Sequence, residues 1–436
     1  LSTLHFSIYY FHIFAYKIQI MRKLLKKYFH TPLIIKIIVA IAIGTFAGMF
    51  SPVSVIRFAN IFTELFSQIL GFTIPLIILG LVTPAISRIS DSSGKKLIII
   101  MIIAYGFTIL SGLFAYLFSI SLYPHVIDTS LSDTLNTLGI KYEPYIKINI
   151  RPVMGVMTAL VASILIGIGI WSTKATTLRK CFEEFESIIS LTIKFIIIPL
   201  LPFFIIGLFM NLAANGKVGQ LLSSFLIAAI IIFVMTLFLL LIQFCIAGII
   251  AKKAPFKMMI NMIPAYFTAL STSSSLKTIP VTIRQTLKNG VSEDTANFVV
   301  PLCASIHLSG CMLMITSCAI ALMLMQGMEV SFISVFLFIL MLGITMTAAP
   351  SIPGAAIIVA IGVMEFMFGF SRPQQALMIT LYIVMDSFGT ACNVTGDGAI
   401  AVIADKIFNC KRFRATTTMN EQTNQQTFSP NTIHNA

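Results

Sequence analysis

The sequence predicts an all-α integral membrane protein with eight transmembrane helices and two re-entrant helical hairpins. Three observations predict it. Hydrophobic residues make up 57% of the chain and charged residues 10%, with a mean hydropathy of +0.96. A soluble domain carries about 25% charged residues, so lipid is the solvent that matches this composition. Long apolar runs recur along the chain, and the basic residues sit in short clusters between them. After residue 254 the apolar runs continue, but Ser, Thr, Gly and Pro interrupt them.

A spanning helix needs about 20 apolar residues. The predicted spans are 33–50, 56–86, 97–123, 153–172, 186–213 and 220–251, followed by 294–326 and 374–405. Several exceed the minimum and must tilt or project beyond the bilayer. The hairpins are predicted over 258–290 and 333–370. Orientation follows from the basic residues. Arg22, Lys23, Lys26 and Lys27 place the N-terminus in the cytoplasm. Arg88, Lys95 and Lys96, then Lys174, Arg179 and Lys180, then Lys252, Lys253 and Lys257 follow at two-span intervals. Arg284 and Lys288 come next with no full span between, and Lys406, Lys411, Arg412 and Arg414 end the chain on the cytoplasmic side. This alternation requires the first hairpin to enter from the cytoplasm and the second from outside. The loop 124–150 mixes Asp128, Asp133 and Glu143 with Lys141 and Lys147, which fits the outside.

The chain divides accordingly. Residues 1–20 read as an upstream extension, because Met21 opens a basic stretch that suits a cytoplasmic start. Residues 21–254 carry six helices, 255–410 the interrupted core, and 411–436 a polar cytoplasmic tail rich in Thr, Asn and Gln that reads as disordered. The net charge of +13 is spread over loops, not gathered on one element, which excludes a nucleic-acid partner. The seven cysteines lack metal-ligand spacing and lie mostly in apolar runs, as small buried residues do. No paired His ligands, Gly-flanked nucleophile or nucleotide-binding loop points to an enzyme, and no organic cofactor is implied.

Irregular backbone at membrane depth is tolerated where protein buries it or water reaches it. Ser271-Thr272-Ser273-Ser274-Ser275 and Pro350-Ser351-Ile352-Pro353-Gly354 are such stretches. Either close helix packing or a binding site explains one of them alone. Two of them flanking two polar spans favour a site, with free N–H groups for an anion and exposed carbonyls for a cation. The last span holds Asp386 and Asp397, each costly there unless paired, protonated or bound to a cation. Helical spacing puts Asp386, Thr390, Asn393 and Asp397 on one face, at offsets of 0, 4, 7 and 11. That face suits an ammonium group or a metal cation; the alternative is a structural salt bridge. The two carboxylates stand about 16 Å apart along the helix, too far for an acid/base pair.

Four motifs carry a family resemblance. Asn393-Val394-Thr395-Gly396-Asp397 in the last span is similar to a motif of the dicarboxylate/amino acid:cation symporter family, the glutamate/aspartate carriers. Ser273-Ser274-Ser275 with Thr278-Ile279-Pro280-Val281-Thr282 resembles the tip of its first hairpin, and Ile352-Pro353-Gly354-Ala355 the tip of its second. Pro301-Leu302 with Ala304 and Ile306 resembles the unwound middle of its seventh span. The likeness is clear over 255–410; before that it rests on span count and charge pattern.

The resemblance implies a secondary active symporter, working as a homotrimer in a bacterial cytoplasmic (inner) membrane. Each protomer would move a transport part, including the third helix, against a scaffold built from the other N-terminal helices. Asp386 would hold the substrate amino group, with Thr390 nearby. Asn393 and the backbone at Ser274 and Ser275 would hold its carboxylate. Ser351 to Gly354, with Ile352 and Gly354 against the substrate, would form the external gate. Sodium would bind near Asp397, with carbonyls of the seventh span around Cys303, His307 and Asn393; Thr108 is a further ion-site candidate.

Three departures modify this. The family position that holds Arg for an acidic side chain is Gly389, and the alternative Arg position is Ser273. A buried carboxylate without a cationic partner costs several kcal/mol, so a small neutral amino acid is expected over a dicarboxylate or an acidic amino acid. Lys277, just past the first tip, either restores a positive charge or snorkels to cytoplasmic water. The family's Asn-Met-Asp-Gly reads His307-Leu308-Ser309-Gly310, so one sodium site is lost or weakened at Ser309. His307 is either a packing hydrogen-bonder or a proton carrier that partly replaces sodium. A channel or receptor on the same scaffold is the rival class, but the sequence has no selectivity-filter motif.

Overall fold

The structure is a computed structural model, and it describes residues 31–88, 95–126, 143–146, 149–216, 218–347, 349 and 353–409. The expected extension at 1–20, the start at Met21, the basic cluster from Arg22 to Lys27, most of the loop 124–150, Ser351, Ile352 and the tail 411–436 lie outside the described residues. The described residues are helical, with no strand among them. Among the described residues, eight stretches are long and apolar enough to cross a membrane: Leu33–Phe50, Val53–Ser87, Lys96–Val126, Val156–Thr173, Thr176–Ala214, Val218–Ala251, Glu293–Met325 and Arg372–Phe408.

Helix α1 (Leu33–Phe50) starts after Pro32 and buries Ile37, Ala40, Gly44 and Gly48. This spacing puts small residues on one stripe, as close helix packing in membranes requires. Helix α2 (Val53–Arg88) has 36 residues, about 54 Å at 1.5 Å per residue, and so exceeds the hydrocarbon core. Helix α3 (Lys95–Val126) and α4 (Val156–Thr173) follow. Helix α5 (Thr176–Thr192) leads through a π-helical turn at Ile193–Ile197 into α6 (Ile198–Ala214). Pro199 and Pro202 lack the N–H that a regular α-turn would use, which accounts for the irregular turn just before them. The fifth helical stretch starts ten residues before the expected 186, because 176–185 is an amphipathic extension with an Arg179–Glu183 ion pair at 3.2 Å. Helix α7 (Val218–Ala251) completes the N-terminal set.

The second half is cut into shorter pieces. Helix α8 (Pro255–Asn261) leads into the pair α9 (Ile263–Thr272) and α10 (Ser275–Lys288). The seventh long stretch is two helices, α11 (Glu293–Ile306) and α12 (Ser309–Met325). Its break falls at His307 and Leu308, whereas Pro301 lies inside α11. The expected unwinding around Pro301 is therefore displaced to the residues that follow the C-terminus of α11. A second pair, α13 (Phe332–Met346) and α14 (Ala355–Phe368), precedes α15 (Arg372–Phe408). At 10 to 15 residues, none of α9, α10, α13 or α14 reaches the roughly 20 residues a full crossing needs.

Helix α15 is the hub of this half. Helices α7, α9, α10, α11, α12 and α14 pack on it, and α3 packs along α12. The outside of the molecule is apolar: Phe46, Phe58, Leu165, Leu226, Ile249 and Phe267 are among the exposed large side chains. Such a surface is stable in lipid and aggregates in water.

Gly48 decides how closely α1 approaches α6. A Cβ there would strike the Met210 carbonyl oxygen and lie 2.8 Å from the Ala213 Cβ. Gly48→Leu is expected to destabilise the protein by about 1–3 kcal/mol through overpacking, read as a lower melting temperature in detergent.

Candidate functional site

The polar face predicted for the last span exists and points inward. Asp386, Thr390, Asn393, Thr395 and Asp397 are all buried on α15. Asp386 keeps 8% of its exposure and Asp397 only 1%, and the difference is a cavity. Asp386, Thr390 and Asn393 line it, together with Tyr382 on the same helix. Asp397 does not.

Three helix starts meet this face. At the first, Ser273 turns the chain between α9 and α10 in a left-handed conformation, φ 46°. L-residues resist this region, and the Ser273 hydroxyl is held at 2.7 Å from that of Ser387 on α15. The turn brings Ser273, Ser274 and Ser275, the start of α10, to the cavity wall. At the second, Gly354 has φ +79°, and its N–H donates to Asp386 Oδ2 at 2.9 Å. At the third, the Gly310 N–H at the start of α12 donates to Asn393 Oδ1 at 2.7 Å. The first N–H groups of a helix have no intrahelical acceptor and carry the positive end of its dipole. Helices cut at this depth thus supply donors to a face of acceptors. Asn393 Nδ2 donates in turn to Cys311 Sγ at 3.2 Å, and the Thr390 hydroxyl donates to the Asp386 carbonyl at 3.1 Å.

Deeper along α15, His307 Nδ1 and Asp397 Oδ1 share a hydrogen bond at 2.8 Å. The residue at the break between α11 and α12 thus stands as the hydrogen-bond partner of Asp397. Ser309 accepts from Gln243 Nε2 of α7 at 3.0 Å, and the Leu308 N–H reaches Thr108 Oγ1 of α3 at 3.4 Å. The last carbonyls of α11 lack intrahelical N–H partners by helix geometry. Carbonyls at such a break are oxygens that could ligate a cation. Cys303 is buried one turn before the break.

The structure brings together Asp386, Thr390, Asn393, Ser274 and Ser275 around one cavity, with Gly354 bonded to Asp386. It groups Asp397, His307, Ser309 and Thr108 around the break. Gly389 is not on the cavity wall: it faces α12, where a Cβ would lie 2.6 Å from Met314 Sδ. The physical reason is the close approach of α12, whose Cys311 and Met314 stand over Gly389. Lys277 is exposed and lines no part of the cavity. Ile352 lies outside the described residues. Reasoning from sequence missed Tyr382, Cys311 and Gln243. Tyr382 was within reach, since it precedes Asp386 by one turn on the same face; Cys311 and Gln243 come from other helices and carry no local signal.

A helical bundle whose cut helices surround buried carboxylates and a cavity defines a polytopic membrane transporter. The model of the sodium:dicarboxylate symporter family matches residues 33–407. The chain belongs to that family, and it is a transporter and not an enzyme. It is also similar to serine/threonine transporters of two streptococci. The protein of Streptococcus thermophilus is 24% identical over 403 residues, covering 88% of this chain and 98% of the relative. That of Streptococcus agalactiae serotype Ia is 26% identical over 405 residues, with the same coverage.

Gly310 permits the contact that seats Asn393. A Cβ there would strike the Gly389 carbonyl oxygen and lie 2.7 Å from the Cys392 Cβ, and neither is the end of a flexible chain. Gly310→Ala is expected to push α12 off α15, cost about 1–3 kcal/mol, and lower the melting temperature in detergent.

Proposed function

We propose that this chain is a secondary active symporter that carries a small neutral amino acid of the serine and threonine type together with sodium. One observation carries the substrate class: among the described residues, the cavity wall holds a single carboxylate, Asp386, and no Lys or Arg. A buried carboxylate without a cation beside it attracts an ammonium group. A substrate with a second carboxylate would have to bury that charge opposite no base, at a cost of several kcal/mol. The names of the two relatives, serine/threonine transporters, support the same class.

In this reading the substrate ammonium rests on Asp386, close to the Thr390 hydroxyl. Its carboxylate faces the start of α10 at Ser274 and Ser275 and the amide of Asn393. Gly354 belongs to the gate at the start of α14. The pairs α9–α10 and α13–α14 are re-entrant hairpins, supported by helices too short to cross. The assembly is a homotrimer in the inner membrane with both termini cytoplasmic. Helices α3 and α8 to α15 move against the remaining helices.

Sodium sits beside Asp397, with oxygens of the α11–α12 break and Asn393, near Cys303 and Thr108. The family's name supports sodium as the coupling ion. The imidazole on Asp397 favours a second reading of the drive, in which His307 carries a proton that shares the coupling.

In proteoliposomes, an inward sodium gradient is expected to drive serine accumulation, with aspartate taken up at least about tenfold less efficiently. Asp386→Asn is expected to lower serine uptake by about a hundredfold or more, as loss of a buried charged partner does. Uptake of aspartate matching that of serine, or full activity in Asp386→Asn, would remove the amino-acid assignment. Imposing sodium and proton gradients separately tests the drive. If His307 carries a coupling proton, His307→Asn keeps sodium-driven uptake and loses any proton-driven part.

A further inference from the structure

A second cavity lies apart from Asp386, where α2, α6 and the start of α15 meet. Glu64 and Ser67 of α2, Phe204 and Leu208 of α6, Asn215 at the end of α6 and Arg372 of α15 stand on its wall. The Arg372 guanidinium rests on α2 at Gly71, where a Cβ would strike it. Glu64 lies two turns away on that helix, about 10 Å along its axis, with Ser67 between. Glu64 accepts only from the Gln68 amide, at 2.7 Å, and pairs with no cation among the described residues. Arg372 donates twice to Glu365 and once to Gln375, which leaves two of the five N–H groups of a guanidinium. Ser67 is 5% exposed. Its hydroxyl keeps accessible area and makes no hydrogen bond among the described residues.

We propose that this cavity binds a zwitterionic head with an apolar body: a primary ammonium on Glu64 and an acidic group on Arg372, with Ser67 bonding between them. The helix ends favour the same orientation. Helix α6 runs antiparallel along α2, with Asn211 bonded to Asn60 at 3.1 Å and Phe204 on Phe66 at 4.9 Å between ring centroids. Its C-terminus, the negative pole of its dipole, therefore lies on the Glu64 side and favours a cation there. Helix α15 begins at Arg372, and its positive pole favours an anion. A carboxylate without a cationic partner in a membrane protein is costly until a cation meets it, and the unbonded Ser67 hydroxyl marks a place for a polar ligand atom. Phe204 and Leu208 supply the wall for the apolar body. A phosphatidylethanolamine headgroup and a free apolar amino acid share this chemistry. The site is separate from the Asp386 cavity and does not depend on what that cavity carries.

The test is a set of thermal melts of the purified full chain in detergent, titrated with two probes and their ammonium-free counterparts. The probes are dioctanoyl phosphatidylethanolamine, against dioctanoyl phosphatidylglycerol, and leucine, against 4-methylpentanoate. Asp386→Asn is present throughout, so that the first cavity adds little to the response. Ligand that binds the folded state raises the melting temperature by mass action. At least one probe is expected to do so with an apparent affinity about tenfold or more above its counterpart, the scale of a hydrogen bond to a charged group. Glu64→Gln is expected to remove that difference, and Ser67→Leu, which fills the middle of the cavity, to remove the response. Melts without ligand check that each variant folds, and either variant alone suffices if the other does not. A response to the lipid alone assigns the head to the membrane, and a response to leucine alone to a soluble solute; both uphold the site. Stabilisation by neither probe, or a response that both variants leave unchanged, would overturn it. Neither result bears on serine uptake through the Asp386 cavity, which is measured separately.

Discussion

Two carboxylates and an amide on one face of α15 cannot be left bare in an interior without bulk water, and the helices that meet this face are cut where they meet it. Helix α10 begins at Ser275, α12 at Ser309 and α14 at Ala355, each delivering free backbone N–H groups to the same band of the bundle. Continuous helices would keep those donors for themselves. The interruptions therefore follow from the polar face, and the cavity lies where helix starts and α15 leave a gap that no side chain fills.

Small residues make this arrangement possible. Gly310 lets α12 approach α15 at Gly389, and Gly396 leaves room for both Gln243 and the His307 ring against the α15 backbone. Gly354 takes a positive φ and turns its N–H onto Asp386. A methyl group at Gly310 or Gly396 would force the facing groups apart, and one at Gly354 would strain the backbone at its positive φ. In the N-terminal half the same principle is used for packing alone, where Gly44 and Gly48 seat α1 on α6.

The two carboxylates differ in what surrounds them. Asp386 borders the cavity and receives only a backbone N–H and its tyrosine neighbour. Asp397 lies deeper, with an imidazole on one oxygen. One borders a cavity; the other is enclosed beside the helix break.

The sequence by itself determined the helical class, because long apolar runs admit only structures that satisfy their own backbone. It also determined seven of the eight spans to within a few residues; the fifth was missed at its start, since 176–185 is amphipathic and carries no membrane signal. The polar face from Asp386 to Asp397 was legible because residues one turn apart on a helix share a side whatever surrounds them. What the tertiary structure alone decided were the pairings across helices: His307 with Asp397, Gln243 with Ser309, Gly354 with Asp386, and the placing of Gly389 against Met314 instead of the cavity. These depend on how helices far apart in the chain rotate and approach, which is set by packing at glycines and by the need to satisfy buried polar atoms. No local pattern records that.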